Sequence, residues 1–112
     1  MNFQPRIRAG KLDRVVKIQH RSETINDYGS PVESWNTVAT LRAELVANGT
    51  HETVIANGSN QSIEVLRTFR TRFANVTVAD RLLYEGAAFD IIDVEEIPRR
   101  RGLEIKCRKR GL

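Results

Sequence analysis

Side chains able to do chemistry are few in this sequence, and their spacing does not gather them. His20 and His51 are its two histidines, and an imidazole beside a carboxylate can pass a proton or help hold a metal ion near neutral pH. Neither has a Cys, His, Asp or Glu at a spacing that a strand, helix or tight loop would turn into such a site. His20 reads as the cap of a strand end and His51 as an exposed loop residue. The single cysteine, Cys107, has no partner for a disulfide and no Cys/His set for zinc, so it reads as a small buried hydrophobe. Asp90, Asp93, Glu95 and Glu96 could suggest a cation site, yet they follow the spacing of a strand and its turn and are read as solvated charge or salt-bridge partners. Nothing sets a serine or cysteine against a base. No catalytic residue, metal or cofactor is expected, and the chain is read as a non-enzyme.

Charge is the stronger signal. The net charge is +4, and Arg99, Arg100, Arg101, Lys106, Arg108, Lys109 and Arg110 crowd the C-terminal end. Such an end attracts polyanions without reading base sequence. The same charges can instead pair with acids of a neighbouring subunit, and Asp90, Asp93, Glu95 and Glu96 are expected to meet the arginine run in that way. Phe3, Arg6 and Arg8 lie in residues 1–10, a segment too short and polar to fold alone and read as an N-terminal arm. The expected interface patch is therefore Phe3, Arg6, Arg8, Arg99, Arg100, Arg101, Arg108, Lys109 and Arg110. Trp35, Tyr28, Tyr84, Phe69, Phe73 and Phe89, taken with the basic end, would make a stacking platform for single-stranded nucleic acid, so a small OB-like binding barrel is the alternative reading. At alternating strand positions these aromatics are expected in a core instead.

The elements that must carry these residues are short strands. A chain of 112 residues fits one domain, here residues 1–112, and 40% hydrophobic against 29% charged residues is a globular balance rather than a disordered one. No run approaches the ~20 apolar residues that a spanning helix needs, and the first ten residues have no apolar signal core, so synthesis in the cytoplasm is expected. The Asn-x-Ser/Thr triplets at Asn48, Asn57, Asn60 and Asn75 are then loop composition. In residues 14–20, Val16, Ile18 and His20 share one face, an imperfect strand pattern. Turn formers fill residues 26–31. Residues 35–47 read as the longest early strand, with Leu41, Ala43 and Leu45 on one face. Residues 48–60, bracketed by Asn-Gly pairs, read as a long mobile insertion with at most one helical turn around 51–56. A half-exposed strand over 62–73 puts Ile63, Val65, Phe69 and Phe73 on one face, interrupted by Arg67. A tight hairpin turns at Gly86, and Leu103, Ile105 and Cys107 alternate along the last strand. About six antiparallel strands without a convincing amphipathic helix indicate an all-β fold, a small barrel or sandwich.

The ordered set of segments resembles a known family. Arg8-Ala9-Gly10-Lys11-Leu12-Asp13-Arg14-Val15-Val16-Lys17-Ile18-Gln19 resembles the opening of the phage head-tail joining proteins, also called head-closure, adaptor or stopper proteins. Asp27-Tyr28-Gly29-Ser30-Pro31-Val32-Glu33-Ser34-Trp35 resembles the family's turn and tryptophan strand. The likeness resumes at Thr68-Phe69-Arg70-Thr71-Arg72-Phe73, at the hairpin of residues 81–90, and at Arg99-Arg100-Arg101-Gly102-Leu103-Glu104-Ile105-Lys106-Cys107-Arg108. It lapses over residues 49–62. The resemblance implies a barrel protomer that assembles with itself into a ring, commonly a dodecamer, below the portal of a virion. It implies contacts with portal or adaptor and tail proteins and transient contact with exiting double-stranded DNA. It also implies that a long loop in this region of the chain projects into the channel and gates it. Here that loop would be residues 48–61, with Asn48, Gly49, Thr50, His51, Glu52, Asn57, Gly58, Ser59, Asn60 and Gln61 as its polar, glycine-bearing members.

Overall fold

Runs of alternating apolar residues become six strands. The computed structural model describes residues 9–54 and 61–110. A 3-10 turn, Ala9–Lys11, leads into β1 (Arg14–Ile25), β2 (Pro31–Val54), β3 (Gln61–Thr71), β4 (Arg81–Tyr84) and β5 (Ala87–Ile97), then a second 3-10 turn, Pro98–Arg100, and β6 (Gly102–Arg110). The strands pair antiparallel in the order β1-β2-β3-β6-β5-β4, and β4 returns to β1 to close a barrel. The all-β expectation holds.

The turns follow their residues. At residues 26–30 the Asn26 side chain accepts from the backbone N–H of Tyr28 at 2.9 Å and of Ser30 at 3.0 Å, and Gly29 takes the positive φ that closes the turn. Between β4 and β5, Glu85 and Gly86 both have positive φ, 51° and 77°, the mirror-image turn whose twist suits a two-residue hairpin.

The barrel interior is filled by its own side chains, as expected of so few strands. Val16, Ile18, Ala43, Val65, Phe69, Leu82, Tyr84, Phe89, Ile91, Leu103, Ile105 and Cys107 form the core. Phe69 meets Tyr84 edge-on, ring centres 4.9 Å apart. The aromatic expectation fails for three residues: Tyr28 is 92% exposed on the β1–β2 turn, Phe73 is 46% exposed just past the end of β3, and the half-buried Trp35 lies outside the core cluster.

Three β-bulges bend the sheet toward closure. The register of β1 with β2 skips Val38, that of β2 with β3 skips Val46, and that of β5 with β6 skips Ile92. Each skipped residue is an aliphatic left exposed, which accounts for three of the apolar side chains on the surface.

The insertion expected at 48–60 is largely strand. β2 continues through residues 48–54 and pairs with β3 from Asn48 opposite Arg67 to Val54 opposite Gln61; residues 55–60 lie outside the described part. The expected helical turn is absent over 51–54. From 31 to 42 β2 pairs with β1 and from 44 to 54 with β3, and among the described residues Ala43 alone is paired on both sides, with Arg14 and Thr71. Residues 31–36 of β2 run on with β1 as a two-stranded ribbon, whereas along 43–51 its partner β3 is also paired with β6, so the β2–β3 extension is two-stranded over 52–54 opposite 61–63. The radius of gyration, 16.6 Å, exceeds the ~13 Å of a compact chain this long.

Replacing Phe69 by Ala should lower the unfolding free energy by about 3–5 kcal/mol, whereas Val38→Ala at an exposed bulge should change it by less than about 0.5 kcal/mol. Urea titration followed by Trp35 fluorescence measures both.

Candidate interaction surfaces

Of the two histidines that could have carried proton chemistry, His20 is engaged in holding the barrel. His20 lies inside β1 rather than at its end, and its Nδ1 meets Oδ1 of the buried Asp80. Asp80 Oδ2 also accepts from the backbone N–H of Thr77 at 2.9 Å, and the Asp80 N–H donates to the Thr77 carbonyl at 3.1 Å. The pair thus ties residues 77–80, which lead into β4, onto β1. Asp80 was invisible as a partner in the sequence because it stands sixty residues from His20; the local Thr-x-x-Asp turn is the one cue present. His51 is a strand residue opposite Glu64, not a loop residue.

Cys107 is 1% exposed in the core. Burial pushes its thiol up to about 12, with the Arg67 guanidinium pulling weakly the other way. A thiol held neutral in this way is neither a nucleophile nor a metal ligand at physiological pH. Among the described residues no three His, Cys, Asp or Glu side chains are arranged to hold a metal ion, and no helix is long and apolar enough to cross a membrane.

What the surface offers is ribbons and charge. In the β2–β3 ribbon, Arg67 bonds the carbonyls of Leu66 at 2.8 Å and Gly49 at 3.5 Å, bracing the base of the extension. Of the loop residues expected to form a channel element, Asn48, Gly49, Thr50, His51, Glu52 and Gln61 are on this ribbon, while Asn57, Gly58, Ser59 and Asn60 are outside the described residues. The β1–β2 ribbon carries the exposed Ile25, Tyr28 and Val32, at 76%, 92% and 41%. Where it joins the barrel, Arg81 donates to Gln19 at 2.7 Å and lies 4.5 Å from the centre of the Trp35 ring, an outer-face clasp across β1, β2 and β4.

The basic residues do not form one patch. Arg108 pairs with Glu64 at 3.7 Å, Lys109 sits 5.6 Å over the Phe89 ring, and Arg70 is bonded to Glu104 at 3.3 Å. Arg99 and Arg101 are exposed in the β5–β6 turn at the other end of β6; Arg100 is in the same turn, and Arg110 ends β6. Asp90 and Asp93 stand across the ladder from Arg108 and Lys106 within the same chain. Phe3, Arg6 and Arg8 fall outside the described residues.

These features define a small closed antiparallel barrel with two ribbon extensions, built to present surfaces. The chain belongs to the phage head completion protein family, whose model matches residues 7–110. Among solved structures, a chain from "Virion of native gene transfer agent (GTA) particle" is 18% identical with a TM-score of 0.65, over 88% of this chain and 94% of that one. Protein SF1141 from Shigella flexneri 2a is 20% identical with a TM-score of 0.58, over 92% and 96%. At such identities the two establish a shared fold. No curated protein is matched by sequence.

Two outcomes follow from the buried polar groups. Asp80→Ala leaves His20 and the Thr77 N–H without their acceptor and should cost about 1–3 kcal/mol, read by thermal unfolding at fixed pH. Because folding raises the Cys107 pKa from 9.0 to about 12, the native state holds its proton more tightly. The stability this contributes is complete below pH 9 and should fall by roughly 1 kcal/mol per pH unit above it. Cys107→Val should flatten that part of the profile in urea titrations at pH 8, 9 and 10.

Proposed function

We propose that the protein is a head-tail connector, a stopper or adaptor that assembles as a ring below the portal, joins head to tail and narrows the DNA channel with its β2–β3 ribbon. Membership of the head completion family supports a structural role in the particle, and no bond is made or broken in it. The observation that carries the finer reading is the one-sided pairing of β2 over residues 44–54. At its far end, over 52–54 opposite 61–63, the described ribbon pairs with no further strand, and a protein keeps such an extension when it reaches something.

Ring closure requires two different faces of each protomer to meet. In the strand order, the β1–β2 and β5–β6 hairpins stand on opposite sides of the barrel, with β3 between them one way round and β4 the other. Opposite sides are what side-by-side packing in a ring uses. Portal and tail proteins would meet the two ends, and the protein would be made in the host cytoplasm and end in the virion. The ribbon's Asn48, Gly49 and Thr50 offer DNA no strong charge, which suits a channel that must release it.

The alternative, a nucleic-acid-binding barrel, has less support. Phe69, Tyr84 and Phe89 are buried in the core and cannot stack on bases.

The test replaces residues 53–62 by an Asn-Gly turn, which leaves the core residue Val65 and the pairing of β3 with β6 in place, and examines particles. Heads should still join tails but lose their packaged DNA. Full DNA retention would remove the channel role and leave the joining role, and particles joined normally without the protein at all would remove both.

A further inference from the structure

The β1–β2 turn is an apolar tip on an acidic ribbon. Tyr28 is 92% exposed and flanked by Ile25 and Val32, yet the turn beneath it is rigid. Asn26 bonds both ends of the loop: its side chain accepts from Tyr28 and Ser30, its carbonyl accepts from Gly29 at 3.0 Å, and its N–H donates to the Ser30 carbonyl at 3.0 Å. An aromatic held out on a preorganised turn loses little entropy on docking, and tyrosine is among the residues that anchor interfaces. Around it stand Glu23, Asp27 and Glu33, all exposed. The ribbon's one cation, Arg21, is already engaged by Glu33 at 3.4 Å.

The opposite side of the barrel carries the complement. Phe73, Val76, Val78, Val94 and Leu103 line a cavity of about 390 Å³, within the range of pockets that take a side chain or small ligand. Phe73 and Val78 are 46% and 61% exposed at its mouth. Glu96 also lines it and Glu95 is exposed on β5 beside it, and against these two the same end sets exposed Arg72, Arg99 and Arg101. Its strands, β5 and β6, lie across the ring from β1 and β2, so a protomer's own tip does not fill it.

We infer that Tyr28 of one copy docks in the Phe73–Val78 cavity of the next, with the carboxylates of the ribbon against the arginines of the β5–β6 turn. This rests on the ring reading above and names the surfaces that meet. A tip and a cavity on opposite sides of one protomer make a heterologous contact, repeated from copy to copy. One tyrosine covers about 150–250 Å², against ~800 Å² per partner in a stable interface. The contact is therefore weak as an isolated pair and is best captured covalently.

Full-length Tyr28→Cys and Val78→Cys proteins, both altered at exposed positions, are mixed and oxidised, and products are separated on a non-reducing gel. The mixture should give disulfide-linked heterodimers, and the double variant a ladder of higher multimers. Either single variant alone should give little. No linkage in the mixture, or dimers of Tyr28→Cys alone as abundant as the mixed ones, overturns the docking. A charge arm uses Asp27→Lys with Glu33→Lys, which should cut linkage about tenfold, and Arg99→Glu with Arg101→Glu in the partner should restore it; an unrestored loss refutes the ionic pairing. Electron microscopy of the unmodified chain separates the two readings: rings without linkage sink the docking alone, whereas linked but open filaments sink the ring.

Discussion

The barrel exists because three residues of β1 find three of β4. Lys17, Ile18 and Gln19 face Leu83, Leu82 and Arg81, and without that short ladder the other pairings would make an open sheet with two edges and a half-covered apolar face. Such a ladder is too short to hold by backbone bonds alone. It is flanked at one end by Arg14 donating to the Tyr84 hydroxyl at 3.0 Å. At the other end stand His20 with Asp80, and Arg81 clasped between Gln19 and Trp35. His20, which looked available for chemistry, is spent on closure.

Closure also explains which parts of the fold were legible in the sequence. Strands with one buried face announced themselves: Leu103, Ile105 and Cys107 alternate with charged residues because only one side of β6 is inside, and Gly86 marked its turn. The stretch 48–54 was misread as a loop because β2 is paired there on one side alone and the buried position of this part of the sheet is Val65 of its partner β3, so residues 48–54 show no period of two. Its available cue was Asn57-Gly58 following the β-branched run Thr53-Val54-Ile55, a hairpin signature. The bulges at Val38, Val46 and Ile92 were equally silent, since an extra residue in a strand shows only against its partner's register. Tyr28 and Phe73 were assigned to the core on periodicity, but the first sits on a turn and the second past a strand end, where alternation no longer decides direction.

The surface follows from the same division of labour. Basic residues that read as one C-terminal patch are separated by the direction of β6: Arg108 and Lys109 lie by the start of β3, and Arg99 and Arg101 lie at the opposite end, beside the cavity under residues 73–78. Sequence proximity overstated how much positive potential any one partner would meet. The chain thus builds on a core of modest size and carries its charge on the strands and turns around it.

Because β2 is one uninterrupted strand shared by both ribbons, length changes have unequal effects along it. Within residues 37–45, where the strand is locked into the barrel wall, a single inserted residue would turn every later side chain to the opposite face. Beyond the wall, lengthening a ribbon by matched pairs of residues leaves the interior untouched. Lineages could therefore tune how far each ribbon reaches, and so fit differently sized neighbours, while inheriting the same barrel.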